Sequence, residues 1–278
     1  MIKLSNGVKL PKLGLGTFRM TDEEETKAVI LNAIEVGYRH FDTAQMYNNE
    51  AFLGEAFRES NLKREEFFIT TKLKYHHPKE ETRKLLDQSL KDLQTEYIDL
   101  LLIHWPNHDD KVNIATWEVF EEYYEKGLVR AIGVSNFTRF QLENLINNVK
   151  IKPMVNQVEF HPGLSQINMI EYLSKHNIKL MGYAPLMAGH MNDDRYKETL
   201  ESVASEHNVS VPEILIAWGL AKGAIMIPKT VTKSRLISNL NAKDIKLTKD
   251  NIAAIDKLNT GRRYHSDPAN NVYGKFVL

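Results

Sequence analysis

The chain has 278 residues, 26% of them charged, and its 36 acidic and 36 basic side chains cancel to a formal net charge of zero. That balance argues against a nucleic-acid binder, which gathers a basic excess on one face. The absence of cysteine excludes disulfides, thiol nucleophiles and Cys-ligated zinc, and no apolar run approaches the ~20 residues needed to span a bilayer.

No leader of basic, apolar and small-residue segments is visible, so the cytoplasm is the expected compartment. No low-complexity tract or Pro/Gly/Ser-rich linker divides residues 1–278, so one domain is expected. The opening segment 2–10 reads as a hairpin, with Asn6-Gly7 supplying a turn at positive φ. β-like runs follow at 13–16, 38–42, 67–71, 98–103, 129–134, 154–157, 178–183 and 224–227. The segments between them read as helices. Thr21 and Glu24 form a capping box ahead of Val29, Ala33, Ile34 and Val36, and Gly37 ends that helix. Leu85, Leu86, Ser89, Leu90 and Leu93 share one helical face, as do Trp117, Phe120 and Tyr124. Thr138/Gln141 and Ser210/Glu213 are further capping boxes. Two helices fit between the seventh and eighth runs, near 197–207 and 211–221, and a last one starts near Thr248. Strand alternating with helix predicts an α/β protein with a parallel sheet. Eight such units favour a (β/α)8 TIM barrel, here with an N-terminal β-hairpin and an extra helix near strands 7 and 8, over an open doubly wound sheet. The open sheet would gain support from a dinucleotide fingerprint, but Gly14-Leu15-Gly16-Thr17-Phe18-Arg19 lacks the third glycine.

A barrel of this kind carries its site at the C-terminal ends of the strands. The second run leads into Asp42 and Tyr47, the third into Lys72, and the fourth into His104 and Trp105. The fifth ends in Ser135 and Asn136, the sixth in Gln157, the seventh in Tyr183 and the eighth in Lys229 and Thr230. A phenol with a pKa near about 10 keeps its proton at neutral pH and can donate it. An adjacent ammonium stabilises the phenolate left behind, and a carboxylate keeps a buried ammonium charged. A neutral imidazole can orient an oxygen by hydrogen bonding. Tyr47, Lys72, Asp42 and His104 therefore compose a site that protonates an oxygen as negative charge builds on it. Each residue alone has a blander reading: solvated strand ends for three of them, a hydrogen-bonded core histidine for His104.

These residues resemble the catalytic tetrad of the aldo-keto reductases. Asp42-Thr43-Ala44, Tyr47, Lys72 and His104-Trp105-Pro106 match in order, as do Gly14-Leu15-Gly16-Thr17, Gly133 to Phe137 and Ile227-Pro228-Lys229-Thr230. The resemblance implies a (β/α)8 barrel in which Tyr47 is the general acid, Lys72 tunes it, Asp42 holds Lys72 and His104 orients a carbonyl. It implies NADP(H) as cofactor, with Gly16, Thr17 and Asp42 near the bound molecule. Ser135, Asn136 and Gln157 would lie on the carboxamide, Tyr183 stacked on the nicotinamide, and Leu186 by the pyrophosphate. Lys229, Thr230 and Arg235 would meet the 2′-phosphate and Asn239 the adenine. A short helix opening near Thr232 with Lys and Arg beside it is independently an anion site, or else a solvated basic loop. Many relatives carry Glu where Ser238 stands, which leaves room for NADH. Phe18 sits where tryptophan is frequent, and Asn48 replaces a common glycine. Phe18 and Trp105, with Tyr47 and His104, are expected to line the substrate pocket, unless the two are simply core aromatics. His161 reads as structural.

The expected activity is reduction of a small aldehyde or ketone by a monomeric, metal-free enzyme that engages neither membrane nor nucleic acid. A non-catalytic nicotinamide-binding module would keep Lys229, Arg235 and Tyr183 but has no need of the tetrad. A barrel hydrolase needs two carboxylates at the mouth, and only Asp42 is well placed. A short-chain dehydrogenase motif at Tyr75 and Lys79 is spoiled by Pro78. The segment 261–278 is short by family standards and is expected to reach toward the mouth and leave an open site.

Overall fold

The computed structural model describes residues 1–270 and 273–277. The chain opens with the hairpin β1 (Ile2–Lys3) and β2 (Lys9–Leu10), antiparallel as the Asn6-Gly7 turn requires. Gly7 sits at φ 92°, a conformation that costs glycine nothing. Asn6 braces the turn by accepting from Val8 N at 3.1 Å and donates to Arg130 O at 2.9 Å. The hairpin thus lies against the N-terminal end of the barrel, with Leu4 and Leu10 buried.

Eight parallel strands follow: β3 (Leu15–Gly16), β4 (His40–Asp42), β5 (Phe68–Leu73), β6 (Leu100–Ile103), β7 (Ile132–Ser135), β8 (Val155–Glu159), β9 (Lys179–Tyr183) and β10 (Ile225–Met226). Each pairs with the next in chain order. A parallel bridge between Leu13 and Met226 joins the first strand to the last. Gly14 N and Gly16 N donate to Met226 O at 2.9 Å and Pro228 O at 3.0 Å, so the sheet closes into the expected barrel. Gly16 is required there: a Cβ would stand 2.9 Å from the Ile227 carbonyl oxygen.

The outer layer comprises α1 (Glu23–Val36), α2 (Glu50–Glu59), α3 (Lys79–Asp92), α4 (Asp110–Glu125), α5 (Arg139–Asn148), α6 (Ile167–Lys175), α7 (Asp194–Glu206), α8 (Val211–Ala221), α9 (Lys233–Asn241) and α10 (Lys249–Asp256). The boxes at Thr138 and Ser210 cap α5 and α8, and Thr248 caps α10. The start of α1 differs from expectation by one residue. Its cap is Asp22, whose carboxylate accepts from Glu25 N at 2.8 Å, and Thr21 lies outside the helix. Both residue types can cap; the one that reaches the third helical N–H decides. β5 also runs two residues beyond its expected end, which places Lys72 within the strand, facing the barrel interior with Asp42.

Candidate active site

The tetrad assembles at the C-terminal mouth. Asp42 ends β4, Lys72 lies in β5, His104 follows β6, and Tyr47 closes a 3-10 turn, Gln45–Tyr47, between β4 and α2. Lys72 Nζ donates to Asp42 Oδ1 at 2.5 Å, to Thr43 O at 2.8 Å and to Tyr47 Oη at 3.3 Å. Gln157 Nε2 donates to the other carboxylate oxygen of Asp42 at 2.6 Å. The Tyr47 and His104 rings meet edge to face with centroids 5.6 Å apart. Asn48, just after the tyrosine, sits at φ 55° and ends the turn. Asparagine is among the few side chains that tolerate that left-handed conformation.

Electrostatics set the protonation states. Lys72 is fully buried, which lowers its pKa, while Asp42 at contact distance holds the charge in place. Burial, aided by the charge of Lys72, holds His104 well below the usual histidine range, so its imidazole is neutral at physiological pH. His40, one layer deeper, is pushed down to about 3 by burial and is neutral as well. The Tyr47 phenol is raised well above the usual range, by burial first and by the Asp42 charge second. The resting phenol therefore keeps its proton at neutral pH.

The remaining expected residues divide into groups. Thr17 Oγ1 donates to Asp42 O at 3.0 Å and ties the end of β3, just past Gly16, to β4. Ser135 Oγ donates to Gln157 O at 3.0 Å, and Asn136 Nδ2 donates to His104 O at 3.0 Å and Ser135 Oγ at 3.1 Å. Tyr183 Oη donates to Asn136 Oδ1 at 2.8 Å, which fixes the ring beside these amides. Leu186 is half-buried and leads into the loop 187–192 after β9. Phe18 packs on Tyr47 at 5.2 Å between centroids and is 45% exposed, so it is a wall of the mouth rather than a core aromatic. Trp105 lies against Tyr273 at 5.3 Å. His161 is buried with Nε2 on Glu159 Oε1 at 3.0 Å, a structural role as expected.

Lys229 and Thr230 follow β10, and α9 opens at Thr232 as expected. Thr230 is buried and accepts from Thr232 N at 3.2 Å. Lys233 is engaged by Glu35 at 2.7 Å, whereas the exposed Lys229 and Arg235 make no ion pair among the described residues. Two free cations at a helix N-terminus fit a phosphate. Asn239 is buried on α9, one turn beyond Arg235.

The described parts of the tail are fastened on two sides of the mouth. Tyr264 N and His265 N donate to the buried carboxylate of Glu159 at 2.7 and 3.3 Å. Tyr264 stacks on His190 at 4.4 Å, and His265 meets Tyr183 edge-on at 5.5 Å. On the far side His76 N donates to Lys275 O at 2.8 Å and Val277 N to His76 O at 2.7 Å. Among the site residues that the sequence reading missed, Asn49 joins Thr43 to the carbonyls of Thr17 and Met20, and Glu159 holds the tail. Glu159 stands two residues after Gln157, on the same face of its strand, and that register was the one available signal.

The aldo/keto reductase family model matches residues 12–260. The chain belongs to the aldo/keto reductase family. It is an oxidoreductase acting on carbonyl groups. It is 42% identical over 270 residues to the 9,11-endoperoxide prostaglandin H2 reductase of Trypanosoma cruzi, covering 97% of this chain and 95% of that protein. It is 41% identical over 268 residues to the glyoxal reductase of Bacillus subtilis, covering 96% and 95%. An aldo-keto reductase from a deep-sea metagenome library superposes with a TM-score of 0.93 at 39% identity, covering 98% of this chain and 100% of that one. The Bombyx mori aldo-keto reductase, solved in complex with NADP, superposes at 0.88 with 32% identity, covering 95% and 94%. Among the described residues no helix is long and apolar enough to cross a membrane.

Proposed function

We propose that this chain reduces small aldehydes and ketones with NADPH, and that Tyr47 donates the proton. The observation that carries the reading is the chain of contacts from Asp42 through Lys72 to the Tyr47 hydroxyl, with the neutral His104 beside it. The cofactor, when bound, supplies the hydride. Lys229, Thr230 and Arg235 would hold its 2′-phosphate and Asn239 its adenine. Leu186 would border its pyrophosphate, with Gly16, Thr17 and Asp42 close by. Ser135, Asn136 and Gln157 would take its carboxamide, with Tyr183 against the ring.

His104 and Tyr47 direct the carbonyl oxygen by hydrogen bonding. Because Tyr47 holds its proton firmly at rest, transfer waits until the oxygen becomes basic. Lys72 at 3.3 Å then stabilises the phenolate. Phe18 and Trp105 give the mouth apolar walls that keep water from the reacting carbon. We also read the chain as a cytoplasmic monomer that uses no metal and binds neither nucleic acid nor membrane; light scattering tests the oligomeric state.

The test is loss of reduced-cofactor absorbance with NADPH and with NADH over a panel of carbonyls. It begins with glyoxal and methylglyoxal, since relatives bear those reductase names. Tyr47→Phe is expected to bind NADPH normally and lose turnover by several orders of magnitude. Near-native kcat in that variant would falsify the assignment.

A further inference from the structure

Behind the tetrad, outside the barrel wall, lies a buried carboxylate that the proposed reaction does not use. Glu50 opens α2, where an acidic residue ordinarily faces solvent and complements the helix dipole. Here it is only 6% exposed. Its Oε1 accepts from Thr71 Oγ1 at 2.6 Å and its Oε2 from Ser89 Oγ at 3.1 Å. Ser89 Oγ in turn accepts from Gln45 Nε2 at 2.9 Å, and Gln45 Oε1 accepts from Lys74 N at 2.9 Å. Gln45 begins the turn that ends in Tyr47, and Thr71 and Lys74 flank Lys72 along the chain. One closed network therefore links the turn that bears the acid to the strand that bears the ammonium, through α3.

We propose that Glu50 is a positioning residue, which holds the Tyr47 turn against the Lys72 strand and so sets the separation between phenol and ammonium. The proposal rests on the carbonyl-reductase reading for its kinetic consequences, and on geometry alone for its structural one. Both hydroxyls donate to Glu50, so the ionised carboxylate is the form that ties both sides. Protonation turns one acceptor into a donor and slackens one tie. Burial raises Glu50 to about 7, with Asp92 on α3 adding to the rise and Lys72 on β5 opposing it. The tie is thus adjustable in the neutral range.

The experiment compares Glu50→Gln, Glu50→Ala and Ser89→Ala with the native chain. Ser89→Ala and Glu50→Ala should each lower kcat about tenfold or more while the NADPH Kd, read from cofactor fluorescence, stays within about twofold. Native kcat should fall toward acid with a midpoint near 7, and Glu50→Gln should lack that step and stay near the lower plateau. A second readout needs no turnover. The ring-carbon resonance of 13C-labelled Tyr47, assigned by its loss in Tyr47→Phe, should shift with the same midpoint in the native chain and stay flat in Glu50→Gln. If that resonance is flat in the native chain, or if kcat is native in Glu50→Ala and Ser89→Ala, Glu50 does not position the acid. Should the resonance step appear in a chain that reduces no carbonyl, the reductase reading fails and the coupling stands.

Discussion

Gln157 reaches across the barrel to Asp42, its Nε2 2.6 Å from the carboxylate Oδ2, between strands four places apart in a ring of eight. Lys72 takes the other oxygen at 2.5 Å. The carboxylate is therefore gripped from two sides of the barrel, and Gln157, expected for the cofactor, also belongs to the support of the tetrad.

Removing one member of this grip should cost more than removing the charge altogether. Lys72→Met leaves Asp42 buried without its counter-ion, and denaturant melts should show a loss of about 3–5 kcal/mol. Asp42→Asn combined with Lys72→Met keeps an acceptor for Gln157 and should recover most of that stability. Neither variant should regain turnover. A double variant as unstable as the single one would mean that the lysine acts through packing rather than charge.

The raised pKa of Glu50 fixes the sign of a stability effect. Between about 4.5 and about 7 the folded chain holds a proton that the unfolded chain has lost, so stability falls as pH rises through this window. A shift of that size corresponds to at most about 3.5 kcal/mol. Melts at pH 5 and pH 8 should show Glu50→Gln gaining on the native chain at the higher pH. An unchanged difference between the two conditions would place Glu50 in the ordinary carboxylate range.

Preference for the phosphorylated cofactor should reside at the opening of α9. Replacing Lys229 by Met and Arg235 by Ala is expected to raise the KM for NADPH by about tenfold or more and leave that for NADH nearly unchanged. The NADPH effect should shrink as salt is added. Equal losses with both cofactors would show that these cations hold the pyrophosphate instead.

The Glu159 carboxylate should control how firmly the tail is strapped down. Glu159→Gln keeps the shape but weakens two charge-assisted bonds to Tyr264 N and His265 N. A loss near 1.4 kcal/mol should speed tryptic cleavage after Arg262 and Arg263 about tenfold. Unaltered cleavage would mean that the Tyr264–His190 stack and the hydrogen bond from Arg262 N to Gly163 O, 3.0 Å, suffice.

Much of the site was legible because its residues announce themselves at strand ends. Asp42, Lys72 and His104 each close or follow an apolar run, and Tyr47 falls in the loop after one, so alternation and chain order place them at one mouth. What escaped depends on partners far along the chain. Glu50 has the sequence signature of an ordinary first-turn acid, and only Ser89 and Thr71 reveal that it is buried. The fastening of the tail was not legible because neither Glu159 nor His76, which hold it at two sides, is local to it. The direction of the Tyr47 shift depends on burial first and on the Asp42 charge second, and residue types alone do not supply the burial.

The bridge from Leu13 to Met226 makes the barrel an all-or-none object. The opening strand finds its second neighbour only after the whole remaining sheet has been laid down, so that seam joins parts of the chain lying far apart in sequence. Unlike a stack of repeats, which tolerates losing a terminal unit, a ring that lacks its final strand is not a smaller ring. It is a curved sheet with two raw margins and a wetted interior, poised to pair with its own kind.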